Sequence, residues 1–91
     1  MDVPSFPGEE LIAQGIEDLR HGRESVPALL VSIGAPRLRL LALPLPESVF
    51  STPELRLYKR LSDIDPDSAH SRYNALIRRL VSFERAAECV S

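Results

Sequence analysis

With 91 residues, the chain is long enough for one small domain and too short for two, since each half would fall near the ~40-residue limit below which metals or disulfides become necessary. A composition 44% hydrophobic and 26% charged excludes a wholly disordered chain, and a single cysteine, Cys89, excludes an intrachain disulfide scaffold and fits a reducing compartment. The net charge of −2 sets up no global field that would draw in nucleic acid or anionic membrane.

Charge is spread unevenly. Residues 1–52 hold four Arg against seven Asp/Glu, and residues 53–91 hold seven Lys/Arg against six Asp/Glu. The longest charge-free run, residues 25–36, is too short to span a bilayer and carries two prolines. Met1-Asp2-Val3-Pro4 lacks the basic and apolar regions of a signal peptide. The expectation is a cytoplasmic protein, free of membrane, with residues 1–6 as an N-terminal tail ahead of a single domain.

Prolines punctuate the chain. Proline is tolerated in the first turn of a helix and damaging further in, so Pro7, Pro27, Pro36, Pro53 and Pro66 mark helix starts. The first helix is predicted over residues 8–21, stopped by Gly22. At 100° per residue, Leu11, Ile12, Gly15, Ile16 and Leu19 share one face, and Glu9, Glu10, Gln14, Glu17, Asp18 and Arg20 fill the other.

Ser25 can cap a short helix over 26–33 that Gly34 would end, with Pro36 opening a second to about Leu43. Between Glu24 and Glu47 the only charges are Arg37 and Arg39, so the segment reads as buried nearly all round. A β-hairpin around Gly34-Ala35-Pro36 is the alternative; the preponderance of Leu and Ala over β-branched residues favours helix. Pro44 and Pro46 mark a linker over 44–50.

Ser51 and Glu54 form a capping-box pattern, with Phe50 and Leu55 as its hydrophobic staple, ahead of a helix to about Leu61. Asp65 is placed to cap a long last helix from Pro66 to about Cys89. Its apolar stripe is Ala69, Tyr73, Leu76, Ile77, Leu80, Phe83 and Ala87. The predicted fold is all-α, a single small domain of four to five helices with the long C-terminal helix as its spine.

No residue set assembles a catalytic site. Asp63-Ile64-Asp65-Pro66-Asp67 opens like a calcium loop, but Ser68 and Asn74 stand where that loop needs Gly and Glu. Two histidines and one cysteine have no zinc-ligand spacing. Ser32, Ser71 and Ser82 lack a nucleophile elbow, and Gly22 and Gly34 are isolated, so no loop cradles phosphate. Cys89 falls at a helix C-terminus, where the dipole opposes a thiolate. No catalytic activity, cofactor or metal is expected.

A helix-turn-helix around Gly34 would present Pro36, Arg37, Leu38, Leu41 and Ala42 to DNA, of which only Arg37 reads a base; two buried helices meeting at a corner explain the pattern better. Glu84 stands within the apolar stripe of the last helix, where a carboxylate needs a partner or a proton. Lys59 or Arg60 reaching across is the structural explanation, and a partner chain the functional one. Arg78 and Arg85 lie seven apart on the polar face beside Asn74, while Arg72 and Arg79, also seven apart, flank the stripe. Such arginines can simply cover apolar edges with their stems; the functional alternative is contact with an acidic surface.

These readings point to a non-catalytic protein–protein interaction module — an adaptor, a regulatory subunit or the neutralising half of a pair. Arg78, Arg85, Asn74, Glu84, Arg72 and Arg79 are its candidate partner-binding residues. The expected partner is an acidic protein surface, or a second copy covering the leucine-rich 25–45 segment. The alternative is a nucleic-acid-binding regulator using the arginine-bearing helix or the Gly34 turn; the absence of aromatic residues on the arginine face makes it the weaker one.

Overall fold

Helix-forming runs separated by glycine- and proline-led breaks produce four α-helices and no strand among the described residues, which in this computed structural model are 7–90. The expected tail over 1–6 lies outside them. Helix α1 (Glu9–Arg20) begins after Gly8, whose φ of 75° suits a residue without Cβ, and Glu9 and Glu10 face the positive end of the helix dipole. It stops where Gly22 takes φ 68° and donates its N–H to the Leu19 carbonyl at 3.0 Å. Ile12, Gly15, Ile16 and Leu19 are buried as predicted; Asp18, placed on the polar face by the sequence reading, is buried as well.

Helix α2 (Val26–Leu40) starts where expected, the Ala28 N–H donating to Ser25 Oγ at 3.1 Å. It then runs unbroken through Gly34 and Pro36. The expected division into two short helices is therefore incorrect, and so is the hairpin alternative. Proline removes one intrahelical bond and crowds the preceding turn, but Pro36 itself is exposed, and burial of Ala28–Ser32, Gly34, Ala35 and Leu38 on either side holds the helix together. Burial all round is confined to the first half: Leu40 is 87% exposed.

Residues 41–52 form an irregular strap back across α2, entered at Ala42 (φ 66°) and left at Thr52 (φ 44°). The buried Ser32 hydroxyl holds it, donating to the Ala28 carbonyl at 2.9 Å and accepting the Phe50 N–H at 3.2 Å. Arg39 Nη2 donates to the carbonyls of Pro46 and Glu47, at 2.8 and 3.0 Å.

Helix α3 (Pro53–Ile64) has Thr52 at its N-cap with no side-chain cap bond, so the Ser51–Glu54 capping box does not form. The staple fails too, because Leu55 is 73% exposed. The left-handed turn at Thr52 re-aims the chain so that Leu57 and Leu61, rather than Leu55, enter the core. The helix runs beyond the expected end at Leu61, to Ile64. Asp65 organises the turn that follows, its two oxygens accepting Asp67 N–H at 3.2 Å and Ser68 Oγ–H at 2.9 Å. Helix α4 (Ala69–Val90) therefore starts three residues later than Pro66 suggested.

The core is built around α2. Leu29, Leu30, Val31 and Leu38 of α2 and Leu57 of α3 are its largest fully buried side chains, joined by Ile12, Ile16, Leu19, Leu61, Leu80 and Phe83. Helix α2 packs against each of the other three, whereas α4 lies against α3 and α2. The long last helix is thus a brace along one side, and α2 is the spine.

Candidate functional site

The faces of α4 follow from its 100° step per residue. Ala69, Leu80 and Phe83 enter the core, and Tyr73 stacks at a tilt on Tyr58 of α3, ring centroids 5.7 Å apart. Burial, reinforced by Glu54, pushes the Tyr73 hydroxyl above its ordinary pKa.

The six candidate residues fall in three places. Arg78 and Arg85 lie on the exposed face away from the core. Asn74 is half-buried at its edge, its amide nitrogen 3.2 Å from Nε2 of the exposed His70, with the roles set by the histidine tautomer. Arg72 and Arg79 lie on the opposite edge of α4, where they rim a groove of about 310 Å³. Its apolar lining comes from Leu76 and Ala75 of α4, Leu61 and Ile64 of α3 and Val26 of α2. Ile64 stands 63% exposed at the groove.

Glu84 is in the third place, only 7% exposed, with its carboxylate against Gly34 of α2. Burial pushes its pKa up, Arg37 pulls it down, and Glu88 adds repulsion. The partner expected from α3 is not there: Arg60 and Arg56 both donate to Glu24, at 3.3 and 2.9 Å, and the cation near Glu84 is Arg37, which itself pairs with Glu88. Gly34 is interior to a helix and packed on Leu80 and Glu84, so the helix-turn-helix reading has no turn to rest on.

Pairing sets the arginines of α4 apart from those elsewhere, Arg20 of α1 excepted. Arg23 binds Asp18, Arg37 binds Glu88, Arg39 binds two carbonyls, and Arg56 and Arg60 share Glu24. Arg72, Arg78, Arg79 and Arg85 hold no acceptor among the described residues. The arginines alone were legible in advance. The groove was missed because it needs α3 to extend to Ile64, an apolar residue between Asp63 and Asp65 whose isolation was the one available signal.

A second buried carboxylate, Asp18, accepts from Ser25 Oγ at 2.6 Å, Gln14 Nε2 at 3.0 Å and Arg23 Nη2 at 3.1 Å. The Ser25 hydroxyl, then Gln14 and Arg23, hold its pKa below the ordinary value against the opposing effect of burial. Asp18 is a structural clamp at the α1–α2 corner, as its bonds from Arg23 and Ser25 tie the connecting turn and the start of α2 to the end of α1. Among the described residues no three His, Cys, Asp or Glu gather where they could hold a metal ion. No helix there is long and apolar enough to cross a membrane. No protein-family model, no curated protein and no solved structure matches the chain.

Proposed function

We propose that the chain is a non-catalytic protein–protein interaction module that presents α4 to an acidic partner surface. The observation that carries this reading is the contrast in pairing among the described residues: every arginine outside α4 except Arg20 has an acceptor there, and the four of α4 have none. Guanidinium forks suit carboxylates bidentately, and Tyr, Phe and Trp are missing from the Arg78–Arg85 face, where bases would need them for stacking. Adaptor, regulatory subunit and neutralising partner are all roles such a surface can serve. A cytoplasmic setting agrees with its one free, exposed thiol, Cys89. A second copy would cover Leu40 and Leu55, 87% and 73% exposed.

The test is co-purification from the native host, identification of the partner by mass spectrometry, and reconstitution from purified components. Replacing Arg72, Arg78, Arg79 and Arg85 together by Ala should abolish the reconstituted complex while leaving the circular dichroism spectrum unchanged. A complex that survives these substitutions would refute the reading.

A further inference from the structure

We propose that the groove between α3 and the first half of α4 receives an acidic amphipathic α-helix of a partner protein, with two carboxylates seven residues apart paired to Arg72 and Arg79. This deepens the interaction reading and rests on it. The floor is aliphatic, made by Leu61, Leu76, Val26 and Ala75, with Ile64 standing 63% exposed beside it. Apolar surface of this kind gains by being covered, while Arg72 and Arg79 on the rim gain by meeting anions.

The spacing of the two arginines selects the occupant. Seven residues at 1.5 Å each set them about 10.5 Å apart along the axis of α4. A helix lying alongside repeats that distance between its own residues seven apart, two turns on and nearly on one face. An extended strand presents same-face side chains every ~6.7 Å, so its carboxylates fall at about 6.7 or 13 Å, in poorer register with this repeat than those of a helix. A fatty carboxylate has one anionic group and would leave one arginine unpaired. Nucleic acid could meet both cations, but it would set phosphates and bases over a floor that has no aromatic ring among its lining residues. Helix α4 therefore matches a helix of the same rise, with leucine-like residues toward the floor and acids on the edge.

The probe is a fluorescein-labelled helical peptide of about 18 residues with leucines at i, i+3, i+4 and i+7 and two glutamates seven apart beside them. Two control peptides carry the glutamates five apart, on different faces, or carry glutamine in their place. Binding to the full chain is read by anisotropy at ~150 mM salt, where exposed charges are screened beyond about 8 Å. The seven-spaced peptide should bind about tenfold tighter than either control, a difference of ~1.4 kcal/mol. Arg72→Gln with Arg79→Gln should erase that preference, Ile64→Lys should abolish binding, and Arg20→Gln with Lys59→Gln, exposed cations away from the groove, should change neither. All five positions are exposed, and circular dichroism confirms that each variant is folded.

Equal binding of the three peptides, no peptide binding, or undiminished binding by the Arg72/Arg79 variant would overturn the proposal. Preferential binding of dodecanoate or a single-stranded oligonucleotide would do the same. If the purified native partner is kept by the Arg72/Arg79 variant yet lost when all four α4 arginines are replaced, the groove fails and the broader interaction reading stands. If the partner survives both changes, both fail.

Discussion

The carboxylate of Glu84 lies against the backbone of Gly34, where a Cβ would sit 3.0 Å from Glu84 Oε2 and 2.9 Å from a Leu80 methyl. Helices α2 and α4 meet this closely because residue 34 has no side chain. The obstructing atoms are side-chain ends that can shift, and alanine gains about 1 kcal/mol of helix propensity over glycine. Gly15 differs: a Cβ there would fall 2.3 Å from the Pro27 carbonyl oxygen and 2.4 Å from a Val31 methyl. Backbone cannot step aside without parting α1 from α2. Gly15→Ala should therefore cost about 3 kcal/mol or more, and Gly34→Ala about 1 kcal/mol or less. Urea unfolding of the two variants checks the order.

Glu84 gives a pH dependence of definite sign. Burial raises its pKa in the folded state despite Arg37. The native state then binds the proton more readily than the unfolded chain, so stability contributed by this group rises as pH falls through the folded pKa toward the ordinary glutamate value. Glu84→Gln should raise Tm at pH 7, and the gain should fade as pH approaches about 4. A variant that melts below the wild type at pH 7 would show that Arg37's attraction outweighs burial.

Asp18 works in the opposite direction. The Ser25 hydroxyl, with Gln14 and Arg23, keeps its folded pKa low. Its contribution is present in full above the ordinary aspartate value, about 3.9, and is lost as pH falls through the folded pKa. Asp18→Asn should lower Tm at neutral pH and make the acid limb of the Tm-versus-pH curve shallower. Ser25→Ala removes the helix cap as well as the bond to Asp18, and should cost about 1–2 kcal/mol.

The two sides of α4 should separate stability from surface chemistry. Leu80→Ala empties a site that is 4% exposed and should cost about 2–5 kcal/mol. Arg78→Ala with Arg85→Ala should change stability by less than ~0.5 kcal/mol, since both side chains are exposed and unpaired among the described residues. Thermal denaturation of the pair measures the contrast.

Local signals were legible where nothing distant competed with them. Helix α1 ends within a residue of its predicted limits because Gly8 and Gly22 both take the left-handed turn that their lack of a side chain permits. Ser25 caps α2 as expected. Gly34 and Pro36 misled because the sequence rule reads them as punctuation, whereas here glycine is the notch that admits Leu80 and Glu84, and packing on both sides carries the helix past the proline. The Ser51–Glu54 motif failed because Thr52, the last residue of the strap, takes the left-handed conformation at the N-cap of α3. Glu84 announced its burial by its place in the apolar stripe. Its neighbour Arg37, 47 residues upstream in sequence, could be found only by folding α2 onto α4. The groove needed three helices in place before its lining existed.

The order in which the helices pack has a kinetic consequence. The main contacts join α1 to α2, α2 to α3 and α3 to α4, all neighbours along the chain, while the contact of α2 with α4 closes a longer loop. Contacts dominated by short sequence separations belong to chains that fold within microseconds to milliseconds. The α2–α4 seam, where Gly34 meets Leu80 and Glu84 46 and 50 positions on, has more loop entropy to overcome than the contacts between neighbouring helices and is expected to close after the rate-limiting step. Substitutions along it should quicken unfolding and leave the folding rate nearly unchanged, so this seam sets how long the folded chain persists rather than how fast it forms.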